Sequence, residues 1–288
     1  VADGRPGSRK PSEVRVFTDG GSKLRADYLA TEEPLEIRLF AGGSRQTVAI
    51  TMRTPGADFE LAVGFLFAEG ILGDRGGVRR VTYCTDPDVD AEQRYNIVNV
   101  ELAGGAVPDL RSLERHFYTS SACGVCGKAA LDRLELRGWR PLTGGPQVAA
   151  EVLYDLPERL RKAQGIFEST GGLHAAALFT AAGELIAVRE DVGRHNALDK
   201  LVGWAVLAGK VPLEEGILVV SGRSSYEILQ KSIAAGLGVV CGISAPSSLA
   251  VDLAERFGVT LVGFLRDRRC NVYAHARRVL AGHPHPVG

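Results

Sequence analysis

From residue 174 onward, short apolar runs alternate with stretches of helical spacing, and this alternation constrains the fold more than any other feature of the chain. Residues 174–179 and 184–189 read as strands and 196–207 as a helix. Strand 216–220, helix 226–235, strand 239–243, helix 249–257 and strand 259–265 follow. Repeated strand–helix–strand units predict a mainly parallel sheet with helices packed on its faces. Upstream, residues 128–136 and 156–167 have helical spacing, and 141–146 form a loop.

The first third reads differently. Residues 34–40 and 47–52 alternate apolar and polar side chains around Ala41-Gly42-Gly43, which predicts a β-hairpin. Residues 58–70 suit a buried helix ended by Gly70, and 78–83 and 95–102 two more strands. The expected organisation is α/β: a mobile tail over 1–25, rich in Gly, Pro, Ser and charge, a smaller α+β domain over 26–120, a Cys-containing loop over 121–127, and an α/β domain over 128–288.

Composition removes several classes of function. Of 288 residues, 45% are hydrophobic and 24% charged, so the core needs no disulfide staples. Formal net charge is zero, which removes the electrostatic case for nucleic-acid binding. No apolar stretch is long enough to span a membrane, and the first residues lack the apolar centre of a secretory signal. The expected location is the cytoplasm. There, a close cysteine pair points to metal, redox or sulfur chemistry rather than to a structural disulfide.

One such pair exists, Cys123 and Cys126, in Ser121-Ala122-Cys123-Gly124-Val125-Cys126-Gly127. A helix predicted just downstream, together with Lys128, favours thiolate there. A thiolate can attack another persulfide, take its outer sulfur and pass it on. Zinc would need a second ligand pair, and Cys84, Cys241 and Cys270 stand alone, so no zinc is expected. By itself the CxxC leaves zinc, redox and sulfur chemistry equally open.

Polar loops after the strands supply a second constellation. Asp191, Arg194 and His195 lie in Arg189-Glu190-Asp191-Val192-Gly193-Arg194-His195-Asn196, between a strand and a helix. Loops in that position bind ligands in α/β proteins. Ser221, Gly222 and Arg223 open the next helix with the composition of an anion-binding turn, and residues 244–248 repeat the pattern. Phe264-Leu265-Arg266-Asp267-Arg268-Arg269 ends the last strong strand with three arginines, beside the two anion-type turns. Together these loops favour a phosphate pocket. His174, after Gly171-Gly172-Leu173, is assigned no role.

These segments, with Thr54-Pro55-Gly56, together resemble the formate dehydrogenase accessory sulfurtransferase family (FdhD/NarQ) from about residue 30 to 276. The run from Asp191 to Asn196 is the most specific element. The resemblance implies a sulfurtransferase that accepts sulfur from a cysteine desulfurase as a persulfide. It would hand that sulfur to the molybdenum (or tungsten) bis-molybdopterin guanine dinucleotide destined for formate dehydrogenase. Cys123 would be the carrier, Cys126 its partner, and residues 264–269 would contact the dinucleotide. It also implies a homodimer and a cytidine-deaminase-like C-terminal fold. Deaminase chemistry is excluded by the lack of any His-x-Glu and by Ala122 where a proline is required. The competing function is a non-catalytic chaperone that binds the guanine dinucleotide cofactor and delivers it to the dehydrogenase.

Overall fold

The computed structural model describes residues 6–104 and 139–281. The CxxC segment, the helix expected at 128–136 and the boundaries around residues 120–128 lie outside the described residues.

The described chain builds stacked layers. The outermost is a four-stranded sheet, ordered β4-β3-β6-β5, from β3 (Glu33–Ala41), β4 (Ser44–Arg53), β5 (Val78–Tyr83) and β6 (Ile97–Leu102). On β3, alternation puts Leu35, Ile37 and Leu39 on the inner face at no solvent exposure. The β3–β4 turn, Gly42-Gly43, has positive φ at both residues, as the twist of a two-residue hairpin requires.

Helix α1 (Asp58–Ala68) packs beneath this sheet; a short helix, α2 (Ala91–Arg94), precedes β6. After the gap come β7 (Val148–Ala149), α3 (Ala150–Ala163) and α4 (Gly165–Thr170). Then follow β8 (His174–Phe179), β9 (Leu185–Asp191), α5 (Arg194–Leu207), β10 (Ile217–Val220), α6 (Tyr226–Ala234) and β11 (Val239–Gly242). Helix α7 (Ser248–Phe257), β12 (Thr260–Arg266) and β13 (Arg269–Ala274) complete the sheet; β14 (Val279–Leu280) pairs with β7.

The central sheet is ordered β13-β12-β11-β10-β8-β9. Only β10, β11 and β12 run parallel; β8–β9 and β12–β13 are antiparallel hairpins, and β8 pairs antiparallel with β10. The sheet is therefore mixed rather than mainly parallel. A buried strand has the same apolar run in either direction, so the hydrophobic pattern could not distinguish them.

Both faces are covered. Leu218 and Val220 of β10 face one core with α1, α5, α6 and α7, while Ile217 and Val219 face another with Leu153, Leu156 and Leu160 of α3. The first core continues without a break to Leu35 and Ile37 of the outer sheet. The residues expected to form two domains thus share one apolar interior.

A tight helix crossing holds the layers together. A Cβ on Gly64 of α1 would collide with Asp199 O of α5, and one on Gly203 of α5 would collide with Glu60 O of α1. The two helices meet backbone to backbone because each has a glycine at the contact. Arg189 of β9 then clamps Glu60 of α1 through a two-pronged ion pair, Nη2 to Oε1 at 2.8 Å.

The expected tail over 1–25 is corrected. β1 (Arg9–Thr18) and β2 (Gly21–Ala30) pair in full register as a hairpin whose loop is Asp19-Gly20. The Asp-Gly dipeptide between alternating residues was the legible cue; charge and glycine content concealed it. Among the described residues, no helix is long and apolar enough to cross a membrane.

The crossing makes a direct forecast. Gly203→Ala should lower the unfolding free energy by about 2–3 kcal/mol in urea denaturation. Gly73→Ala, where a Cβ meets open space, should change it by less than about 0.5 kcal/mol. Equal effects would refute the close-contact account.

Candidate functional site

The strand-end loops converge on one edge of the central sheet. Ser221 N–H donates to Ala175 O at the start of β8 (3.0 Å), and Ala175 N–H donates to Ser221 Oγ (2.9 Å). Ser247 N–H donates to Ser224 O (3.0 Å), and Phe264 N–H to Ser244 O (3.2 Å). The turns after β10 and β11 and the end of β12 are therefore tied side by side. Near them an open cleft of about 470 Å³ is lined by Arg161, Gln164, Phe167, His174, Ser221 and Ile243, among others. A larger depression of about 600 Å³ lies on the N-terminal sheet around Arg79, Arg80 and Glu101, and includes none of the predicted site residues.

Most of the polar motif following β9 is engaged internally. Glu190 accepts hydrogen bonds from the N–H groups of Ile166 (3.0 Å) and Phe167 (2.8 Å), so it caps α4. Asp191 has no solvent exposure. Its carboxylate accepts from the N–H groups of Thr54 (3.1 Å) and Gly193 (2.8 Å) and from Asn196 Nδ2 (3.1 Å), and pairs with Lys200 at 2.7 Å. Lys200 also donates to Thr54 O (2.7 Å), and Asn196 to Met52 O (2.7 Å). Asp191, a candidate ligand contact from sequence, is thus a buried hub tying β9 and α5 to the end of β4. Removing it would strand a buried ammonium.

His195 bridges two partners. Its Nδ1 lies 2.8 Å from Glu227 Oε2 and its Nε2 3.3 Å from Ser225 Oγ. The bond to His195 holds the Glu227 carboxyl below its usual range, against burial. Ser225 is the N-cap residue of α6, yet its side chain makes no cap bond. Its hydroxyl faces His195 instead. Gly193 likewise offers α5 no side-chain cap, whereas Ser247 does cap α7 through Ala250 N–H (3.3 Å).

Arg194 stands apart from its neighbours. Its side chain makes no hydrogen bond or ion pair with a described residue, and its Nε is buried without a partner. Its stem lies beside Gly222, where a Cβ would sit 3.7 Å from Arg194 Cδ and 3.5 Å from His174 Nδ1. The site therefore combines the unpartnered Nε of Arg194 with two helix N-termini that lack side-chain caps, an arrangement that attracts anions.

His174, left without a role by the sequence, lines the cleft with Nδ1 3.4 Å from Ser221 Oγ. Burial, then the charges of Arg194 and His195, hold its imidazole below its usual value, with Asp191 opposing. Gln164 and Arg161, also in the cleft wall, come from α3 and the elbow beyond it, where no motif marked them.

The hairpin over 264–269 divides. Leu265 is fully buried in the core against α3, so its side chain is a packing group rather than a ligand contact. Phe264 takes positive φ at a register shift, and Asp267 and Arg268 take positive φ in the turn. Arg266 lies over the Phe264 ring, and Arg268 lies over Tyr154 and pairs with Asp155 at 3.4 Å. Arg266, Asp267, Arg268, Arg269 and Arg223 are exposed. Cys123 and Cys126 lie outside the described residues. Of the other cysteines, Cys84 and Cys241 are buried, and burial pushes the thiols of Cys241 and Cys270 up.

Together the fold and site define a mixed α/β protein with an anion-attracting cleft at the ends of its parallel strands. Residues 30–280 match the FdhD/NarQ family, and the chain belongs to that family. It is 53% identical over 274 residues to the sulfur carrier protein FdhD of Streptomyces coelicolor, covering 94% of each chain. It is 47% identical over 269 residues to the one from Sulfurisphaera tokodaii, covering 93% of this chain and 98% of the other. A crystal structure described as that of a candidate formate dehydrogenase accessory protein from Desulfotalea psychrophila shares the fold. The TM-score is 0.72 at 22% identity, over 94% of this chain and 99% of the other.

The neutral His174 sets a pH dependence. Unfolded, its imidazole titrates near about 6.5. Because the folded value is lower, this contribution to stability is fully present above pH ~6.5 and is lost as pH falls through the folded value. Thermal midpoints should drop below that pH, less so in His174→Gln. In Arg194→Ala the His174 titration followed by NMR should move upward; an unmoved titration would contradict the repulsion by Arg194.

Proposed function

We propose that this chain is a sulfur carrier serving formate dehydrogenase maturation, working in the cytoplasm as a homodimer. The Cys123 thiolate attacks the outer sulfur of a cysteine desulfurase persulfide. The desulfurase thiolate leaves, and Cys123 holds the sulfur as its own persulfide with Cys126 as partner. The acceptor is the molybdenum or tungsten bis-molybdopterin guanine dinucleotide, bound as substrate.

The observation that carries the acceptor half is Arg194. In a motif whose other polar groups are engaged among the described residues, Arg194 keeps a buried, unpartnered Nε at the start of α5 and beside the Gly222 turn that leads into α6, two helices without side-chain caps. A pyrophosphate suits that site: guanidinium and helix N-termini both bind phosphate oxygens. Ser221, next to the Gly222 that Arg194 packs beside, adds a hydroxyl, and Arg223 after it is exposed. Family membership and relatives named as sulfur carriers support the carrier half. So does the chemistry of Cys241 and Cys270: thiols whose pKa values burial raises are poor nucleophiles.

Incubation with a desulfurase and cysteine should add one reductant-labile sulfur to the intact mass of the wild type and none to Cys123→Ala. A labile sulfur retained by Cys123→Ala would remove its assigned role. Arg194→Ala should still load sulfur but fail to restore formate dehydrogenase activity in a strain lacking the chain. Full restoration would remove the phosphate site; restoration by Cys123→Ala would favour the non-catalytic chaperone.

A further inference from the structure

Three side chains at the start of α6 form an arrangement that sulfur carriage leaves unused. His195 of α5 stands between Glu227 and Ser225, with Nδ1 2.8 Å from Glu227 Oε2 and Nε2 3.3 Å from Ser225 Oγ. The bond to His195 holds the Glu227 carboxyl below its usual range, so it is ionised near neutrality. An ionised carboxylate only accepts hydrogen bonds, so in the neutral ring Nδ1 carries the proton. Nε2 then presents its lone pair to the Ser225 hydroxyl. Carboxylate, imidazole and hydroxyl in that order make an activated serine nucleophile, which is recognised by geometry and not by sequence position.

The surroundings suit that use. Ser225 is the N-cap residue of α6, in extended backbone, and its hydroxyl makes no cap bond. Ser232, on the same helix, shows the contrast: its buried hydroxyl donates to Ile228 O at 2.7 Å, as a structural serine does. Negative charge developing on a carbonyl attacked by Ser225 is favoured by the positive end of the α6 dipole. The His195 and Glu227 side chains are partly exposed, so water reaches them. Arg194, which precedes His195, has a buried Nε without a partner and favours a substrate that carries an anionic group.

We propose that Ser225, His195 and Glu227 form a catalytic triad that hydrolyses carboxylic esters or thioesters bearing an anionic group. Ser225 Oγ bonds to the carbonyl carbon and passes its proton to His195 Nε2. The bond to the alcohol or thiol breaks as that group takes the proton. Water then attacks the acyl-serine, giving a proton to Nε2, and Oγ regains it as the acid is released. Glu227 touches no reacting atom; it is a positioning residue that holds the ring. Sulfur loading on Cys123 uses none of the three, so the two readings stand or fall separately.

Treatment of the full chain with a fluorophosphonate, followed by peptide mapping, tests the nucleophile. The wild type should carry the adduct on Ser225, and His195→Gln should label about a hundredfold more slowly. Hydrolysis of p-nitrophenyl hemisuccinate should be lost in Ser225→Ala. In Glu227→Gln its kcat should fall about a hundredfold with KM unchanged, a split that a merely structural role would not produce. The wild type should prefer the hemisuccinate to p-nitrophenyl acetate, and Arg194→Ala should erase that preference. A wild type whose Ser225 takes no adduct, or a Ser225→Ala variant that keeps full hydrolysis, would overturn the triad. Equal turnover of the two esters by the wild type would overturn the anionic substrate class.

Discussion

The contact between Gly64 and Gly203 is the constraint on which the rest depends. Two helices whose backbones touch cannot slide or rotate without steric overlap, because packed interiors tolerate little overlap. The crossing places α5 against α1, and so places the first turn of α5 beside the end of β4. Only then can Asp191 accept from Thr54, and Asn196 reach Met52 O. The same contact joins the outer sheet to the central one through a single apolar core. A glycine pair far from the cleft thereby sets where Arg194 emerges.

Buried charge around that crossing is paired. Arg53, fully buried, pairs with Asp58 and donates to Tyr95 O and Asn96 Oδ1. Asp191 pairs with Lys200, and Asp199 with Lys231 at 2.8 Å. Burial pushes the Asp199 carboxyl up to about 6, even against Lys231. Breaking one partner of such a pair leaves an uncompensated charge, so these residues specify the arrangement of layers more than they add net stability. Arg194 differs: among the described residues its side chain has no ion-pair partner, and its Nε is buried unpaired.

The polar loops marked in the sequence lie at the strand ends, but two of their residues are engaged in the fold itself. Asp191 and Leu265 carry ligand-like context in the chain, but one is a saturated hub and the other a core side chain. A run of polar residues looks alike whether it bonds inward or faces a ligand; only the positions of Thr54, Asn196 and Lys200 decide. Gln164 and His174 were invisible for the opposite reason. Each is a single polar residue without spacing or repetition, and each gains meaning only when α3, α4 and β8 meet at the cleft. The hairpin over 9–30 was legible in Asp19-Gly20 and was masked by composition.

By itself the sequence determined most of the strands and helices beyond residue 33, the alternation that makes the C-terminal part α/β, and the loops that gather at the strand ends. It also carried the family, through the run from Asp191 to Asn196 and the spacing of Cys123 and Cys126. Those properties are local: periodicity, turn chemistry and motif spacing survive in one dimension. Tertiary structure alone decided strand direction, the sharing of one core by both halves, and which polar groups remain free. Direction and satisfaction depend on partners distant in the chain. Thr54 and Asp191, 137 residues apart, settle between them that Asp191 is a buried tie, while Arg194 Nε stays without a partner.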